Sequence, residues 1–280
     1  MDKYRKVYKI STMCRVLKVS RSGYYAWRDR QPSTRRRDNA ELLRRIRQIH
    51  VQSRSLYGSP RITAELNEQG LRCGKHRVAR LMKNDSIRGE VKKRRFRRTT
   101  DSRHGYPLAT NLLIEKKQTE GVWASDMTYI PTSEGWLYVA AVMNVETRKI
   151  IGLSMSDRIS QRLASAALRD AVGRQKPQEG LIHHSDRGRE YASYAYQDFL
   201  TEYGIVQSMS RSGNCWDNAY MESFFGTLKT ELVHGEKYRS RLEARLSIFE
   251  YVEVFYNRFR RHSALGYKSP EQYQSLLDET

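Results

Sequence analysis

Cysteine is scarce. The 280 residues contain three, Cys14, Cys73 and Cys215, an odd number with no Cys-x-x-Cys pair. This argues against a disulfide framework and a structural zinc site, and for reduced thiols in a reducing compartment. Long apolar runs are missing as well. The longest, around Trp136–Val145, is too short to cross a bilayer. The chain does not open on the charged, apolar and small-residue succession of a secretory signal, so the cytoplasm is the expected location. Acidic residues are thin in one region. Residues 1–110 hold 30 Lys and Arg against 9 Asp and Glu, whereas residues 111–280 hold 21 against 22. Nearly all of the formal net charge of +20 therefore sits in the first two fifths. A field of one sign calls for a polyanionic partner, nucleic acid before others. An anionic membrane would call for a basic amphipathic helix with bulky apolar residues, and no strong one is found.

The length leaves room for one large domain or two to three small ones. Residues 1–33 read as a helix-turn-helix-like unit. Met13, Val16 and Leu17 give a short helical stripe, Ser20 to Gly23 breaks it, and Tyr24 to Trp27 begins a second helix. Residues 34–87 read as a three-helix DNA-binding unit. Its first helix is expected over 38–52, with Leu42, Leu43, Ile46 and Ile49 on one face and Arg44, Arg45 and Arg47 on the other. Ser59 is placed to cap the second helix with Pro60 at its first position, and the third runs over 75–82. Residues 88–114 read as a basic linker. Lys92, Lys93, Arg94, Arg95, Arg97 and Arg98 crowd there with too little apolar surface to offset the entropy of ordering. Such a segment is expected to lie along a phosphate backbone, a solvated loop being the alternative.

Residues 115–235 change character. Three β-rich runs follow one another around the turn Ser133-Glu134-Gly135, then helix, strand, helix, strand and helix alternate. Three antiparallel strands followed by parallel strands joined through helices is the ribonuclease H-like α/β pattern, a mixed five-stranded sheet with flanking helices. The closing helix contains Met221, Phe224, Phe225, Leu228 and Leu232 in one apolar stripe, with Asp217 or Asn218 at its cap. Residues 236–280 add a C-terminal helix, expected over 240–259 with Leu242, Leu246, Ile248, Phe249, Tyr251 and Val254 apolar, and a tail.

Three acids stand out by their surroundings. Asp126 lies in the first strand, Asp186 at the end of the fourth, and Glu222 beside the apolar stripe of the closing helix. The first and fourth strands are neighbours at the sheet centre in this order of elements, so the three carboxylates can meet. Gathered carboxylates stay ionised only around a cation. Their hard oxygens suit Mg²⁺ or Mn²⁺, and two such ions can clamp the attacking and leaving oxygens of a phosphodiester. Lys229 stands seven residues after Glu222, on nearly the same helix face. Arg187, Arg189 and Arg211 are candidate phosphate contacts. His183 and His184 are readable as metal ligands but more simply as one core residue and one contact to DNA or a carboxylate. Trp123 and Trp216 read as packing residues, and Arg258, Arg260 and Arg261 as DNA contacts or a solvated helix end.

The blocks W-A-S-D-M-T-Y-I, H-S-D-R-G-R-E-Y and G-N-C-W-D-N-A-Y-M-E-S-F-F-G-T-L-K-T-E resemble those of bacterial insertion-sequence DDE transposases, within the retroviral-integrase superfamily. Thirty-five residues separate Asp186 from Glu222, a spacing typical of that superfamily. The ending Y-N-R-F-R-R-H-S-A-L-G-Y-K-S-P and the upstream L-Y-G-S-P-R-I are similar to the OrfB-type proteins of the third insertion-sequence family. The resemblance implies an integrase core in which Asp126, Asp186 and Glu222 are catalytic and hold two Mg²⁺ or Mn²⁺ ions, with Lys229 on terminal DNA. It implies hydrolysis at a 3′ end of the element, then attack of the freed 3′-hydroxyl on another phosphodiester, by a homo-oligomer assembled on transposon-end and target DNA. The integrase zinc module of paired His and Cys is absent, and no heptad segment like that of the family's upstream reading frame is visible. The chain is then a catalytic half awaiting a fusion partner or a form that works alone. A non-joining nuclease of the same fold and a non-catalytic DNA-binding regulator are the rival expectations.

Overall fold

Side-chain alternation along three successive strands sets the two faces of the sheet. The computed structural model of the chain describes residues 1–90, 106–113, 119–211 and 218–279. Strands β1 (Val122–Thr132), β2 (Gly135–Asn144) and β3 (Ile150–Ser156) form an antiparallel meander. The β1–β2 hairpin closes on Ser133 and Glu134, and Gly135 takes φ +104°, a left-handed value that glycine adopts without strain. Helix α6 (Gln161–Gln175) crosses to β4 (Ile182–Ser185), which pairs parallel with β1. Helices α7 (Arg189–Ala192) and α8 (Tyr194–Glu202) lead to β5 (Val206–Met209), parallel to β4. The order across the sheet is β3-β2-β1-β4-β5, the mixed five-stranded arrangement expected.

Two cores lie on the two faces. Val122, Ala124, Ile130, Leu137, Val139, Ala141 and Met143 pack with α9 (Ala219–Glu231) and α10 (Arg241–Glu250). Trp123, Ala140, Val142 and Ile151 pack with α6, α7 and α8. The interleaving of these numbers is the period of two along each strand. Gly152 lets α6 lie close to β3: a Cβ there would stand 2.2 Å from the Ala167 carbonyl oxygen.

The upstream helices are α1 (Ile10–Val16), α2 (Arg21–Arg28), α3 (Thr34–Gln52), α4 (Ser59–Glu68) and α5 (Lys75–Asn84). In the first pair the break falls at Leu17–Val19. Ser20 caps α2 by accepting the Gly23 N–H at 3.0 Å, so Gly23 belongs to the helix and not to the turn. Of the stripe expected there, Met13 is half-buried and Val16 and Leu17 are exposed; Trp27 is exposed too, and Cys14 and Tyr24 turn inward. Helix α3 is capped by Ser33 and starts at Thr34, four residues earlier than expected, and the cap position of α4 is Gly58 in place of Ser59. Leu42, Ile46, Ile49, Ile62, Leu66, Val78 and Met82 join the same core as α9.

The expected helix over 240–259 is α10 followed by a π-helical stretch, Tyr251–Tyr256. Leu242, Leu246, Phe249 and Val254 face solvent, while Ile248, Tyr251, Val252, Phe255 and Tyr256 are buried. Helix α11 (Pro270–Asp278) ends the chain with a capping box of Ser269 and Gln272. No helix among the described residues is long and apolar enough to cross a membrane.

Candidate active site

Asp126 and Asp186 share a face by register. Parallel pairing sets Val122 against Ile182 and Ala124 against His184, a register that, carried two residues further, brings Asp126 level with Asp186, whose charge acts on it. Asp126 lies opposite Ala141, which belongs to the core that α9 covers. Both carboxylates therefore project from the α9 side. The stripe of Met221, Phe224, Phe225 and Leu228 fixes that helix to the sheet, which leaves Glu222 and Lys229 at its edge. Lys229 Nζ sits 5.1 Å from the Tyr129 ring centroid, and Tyr129 is three residues along β1 from Asp126.

The electrostatics tie these groups together. Burial, then the charge of Asp186, push the Asp126 carboxyl well above the usual carboxylate range, and Glu222 adds to the rise. The Met127 N–H, which Asp126 Oδ1 accepts at 2.8 Å, and the Lys229 cation oppose it. Burial holds the Lys229 ammonium below its ordinary value, and Asp126 works against that. Asp186 Oδ1 accepts the Gly188 N–H at 2.8 Å, and a Cβ on Gly188 would meet that same oxygen at 2.8 Å. A side chain at position 188 would thus press on the carboxylate two residues before it and shift it.

Among the described residues no three His, Cys, Asp or Glu side chains form a ready-made ion cage. The donor set nonetheless fits a hard divalent cation. Its oxygens are carboxylates, two now rest on backbone N–H groups, and the repulsion at Asp126 is what a cation relieves.

Neither histidine is placed as a ligand. His183 Nε2 lies 2.7 Å from Ser125 Oγ and 3.1 Å from Tyr196 Oη, on the face away from α9. Burial, with the charge of His184, lowers its pKa to about 3, so the ring is neutral. His184 sits between Ser208 Oγ at 2.9 Å and Ser210 Oγ at 3.1 Å. The two rings join β4 to β1 and to β5. Trp123 is a packing residue, as read. Arg187 Nε donates to the Ser210 carbonyl at 2.6 Å, while Arg189 and Arg211 are exposed. Arg260 and Arg261 are buried in ion pairs, which corrects the reading of a solvated end; Arg258 is exposed beside Glu271. Lys92, Lys93, Arg94, Arg95, Arg97, Arg98, Trp216 and Asp217 lie outside the described residues.

Two residues here differ from what the sequence suggests. Glu231 is not among its candidates, and Asn218, one of the two expected caps, occupies the N-cap position of α9 without capping it. Its Nδ2 donates instead to the carbonyl of Ser125, the residue before Asp126, at 3.1 Å. Glu231 ends α9, where the helix dipole disfavours a carboxylate. That misplaced charge was the signal for a buried cation, and Arg260 supplies it.

Residues 116–215 and 203–270 match family models described as Integrase core domain, and residues 36–95 match one described as HTH-like domain. The chain is 45% identical over 265 residues to the insertion element IS600 uncharacterized 31 kDa protein of Shigella sonnei, covering 94% of this chain and 97% of that protein. It is 40% identical over 280 residues to transposase InsF for insertion sequence IS3A of Escherichia coli strain K12, covering 98% and 97%. A solved structure of the simian T-cell lymphotropic virus intasome in complex with PP2A regulatory subunit B56 gamma is similar at 14% identity and a TM-score of 0.47, over 81% of this chain and 73% of that one.

Proposed function

The chain belongs to the IS3-type insertion-sequence transposases and is a DNA transposase with an integrase core, and from that premise we propose that Asp126, Asp186 and Glu222 carry its chemistry. Proteins with this core generally depend on a divalent metal. The three carboxylates would hold Mg²⁺ or Mn²⁺, two ions in all. Such ions supply charge to phosphate oxygens and acidity to an attacking water or 3′-hydroxyl. The supporting observation is that Asp126, buried on the face that α9 covers, is raised first by burial and then by the charges of Asp186 and Glu222, so the three acids act on one another there.

The protein's own groups then do the placing. Lys229, half-buried beside Asp126 and Tyr129, is a fixed cation for a phosphate of the element end. Gly188 N–H and Met127 N–H hold the two aspartates in position. The neutral His183, between Ser125 and Tyr196, fixes the spacing of the strands that carry both acids. The reaction is cleavage at the 3′ ends of the element and transfer of the freed 3′-hydroxyl to another phosphodiester. The protein acts as a homo-oligomer on end and target DNA, with the basic segment around Lys92–Arg98 along the backbone.

The test is a joining assay with pre-cleaved element ends and Mg²⁺. The unaltered chain yields joined product and Glu222→Gln yields none. Hydrolysis without joining would move the chain to the nucleases, and joining by Glu222→Gln would remove the carboxylate from the site.

A further inference from the structure

Two adjacent arginines follow the π-helical stretch and serve different partners. Arg260 reaches α9. Its Nε and Nη2 donate to the two oxygens of Glu231 at 2.8 and 2.7 Å, and Tyr251 Oη donates to the same carboxylate at 2.8 Å. Arg261 reaches α4. Its Nε donates to Glu65 at 2.6 Å and its Nη2 to Glu68, while Nη1 donates to the Tyr267 carbonyl at 2.7 Å. The Arg261 backbone N–H donates to Tyr57 Oη at 2.8 Å, and Tyr57 Oη donates to the Phe259 carbonyl at 2.9 Å. The rings of Tyr57 and Phe259 stack with centroids 5.9 Å apart. From α4 itself, Arg61 comes to 3.8 Å from Glu231. Arg260 is 6% exposed and Arg261 5%.

Apolar side chains would fill this junction at less cost in desolvation, since a buried ion pair adds little net stability over a hydrophobic replacement. What a guanidinium fork adds is geometry: parallel bonds fix distance and angle between the groups they join. The groups joined here are the helix that bears Glu222 and Lys229 and a helix of the HTH-like region. Glu231 stands two residues after Lys229 and nine after Glu222 on one rigid helix, so a shift of Glu231 is a shift of both. We propose that Arg260 and Arg261 are positioning residues, a clasp that holds the HTH-like helices in fixed register with α9, and that they act on DNA cleavage through α9 without touching DNA. This rests on the role of Glu222 given above.

The full chain carrying Arg261→Gln, Arg261→Lys or Glu68→Gln is compared with the unaltered chain and with Glu222→Gln. The probe is a duplex made from one end of the element that encodes the chain, with Mg²⁺. Two quantities are read: the dissociation constant, and the rate of cleavage within the complex at saturating duplex. Arg261→Gln is expected to bind as the unaltered chain does and to cleave about tenfold or more slowly once saturated, the size of loss usual for a supporting contact. Arg261→Lys recovers part of the rate, and Glu68→Gln, which removes the more exposed partner, falls between. If binding weakens while the saturated rate holds, Arg261 contacts DNA and the clasp is refuted. An unchanged saturated rate with unchanged binding refutes it too. Should Arg261→Gln fail to fold, Glu68→Gln is judged by the same two outcomes. Failure of the underlying site reading shows separately, as Glu222→Gln cleaving like the unaltered chain.

Discussion

Asp126 stands across from Ala141 on one strand and level with Asp186 on the other, so its carboxyl has given up much of its water beside a second negative charge. On the proposed reading such a group would be relieved by a cation. A bound divalent ion that prefers the folded state raises stability by mass action, about 2.7 kcal/mol at roughly 100 times its dissociation constant. The melting temperature of the unaltered chain should therefore climb with added Mg²⁺ or Mn²⁺, and that of Asp126→Asn with Asp186→Asn should stay flat. A rise of equal size in both would mean the ion binds elsewhere. Glu222→Gln should lose DNA cleavage by on the order of 10²- to 10³-fold or more, as removal of a fixed electrostatic group in a reaction site does. The sequence points to the three acids because each sits where an unpartnered carboxylate is costly: inside an apolar run, at a strand end, and against a core stripe. Asn218 was not readable, since a short amide before a helix looks like a cap, and only the coordinates send its Nδ2 to the Ser125 carbonyl.

Among the elements, α6 on β3 and the C-terminal segment on α9 show what pattern alone leaves open. The apolar period of α6 is plain in the sequence, but the closeness of its approach depends on Gly152. Gly152→Ala should destabilise the chain by about 1–3 kcal/mol, the usual cost of overpacking. Gly173→Ala, inside the same helix with nothing within 4 Å of the added Cβ, should stabilise it by about 0.8–1 kcal/mol. Urea midpoints of the two variants decide, and a shift of the same sign in both would contradict the packing argument. The end of α10 was less legible. Six apolar residues are spread there over two helix faces, and Leu242, Leu246 and Phe249 share the outward one while Ala244, Ile248, Tyr251, Val252 and Phe255 form the buried one. His262 follows the π-helical stretch. Burial, then the charges of Arg260, Arg61 and Arg148, lower its pKa to about 3, so the folded chain holds it neutral. An unfolded histidine titrates near 6.5. Between about 6.5 and about 3 the unfolded chain takes a proton that the folded one refuses, so stability falls as pH falls through that window, by up to about 1.4 kcal/mol per pH unit. His183, with its pKa likewise lowered to about 3 by burial, contributes in the same direction. His262→Gln should remove one proton's share of the slope and leave that of His183, which denaturation midpoints between about pH 6 and about pH 4 will show.

Across the whole molecule, charge and catalysis occupy different parts of the chain. Residues 111–280 are nearly neutral and contain the three acids, while residues 1–110 carry a net charge of +21 and contain the HTH-like region. The division has a physical use. An active site of gathered carboxylates repels the polyanion it must cut, so the attraction has to come from elsewhere on the same chain. The expected basic segment, Lys92 to Arg98, lies near the end of the basic part, upstream of the integrase core in sequence. Each cation that neutralises a phosphate releases condensed counterions, and the logarithm of the binding constant falls by about 0.9 per contact for each unit of log salt. Replacing Lys92, Lys93, Arg94 and Arg95 together by Ala should therefore reduce the slope by roughly 3 to 4 on duplex DNA of any sequence. Arg261→Gln, whose guanidinium is spent on Glu65 and Glu68, should leave the slope unchanged. Fluorescence anisotropy across a salt series separates the two. A slope that survives the fourfold change would place the attraction in the helices upstream of residue 90, and a slope that drops with Arg261→Gln would put that arginine on the DNA.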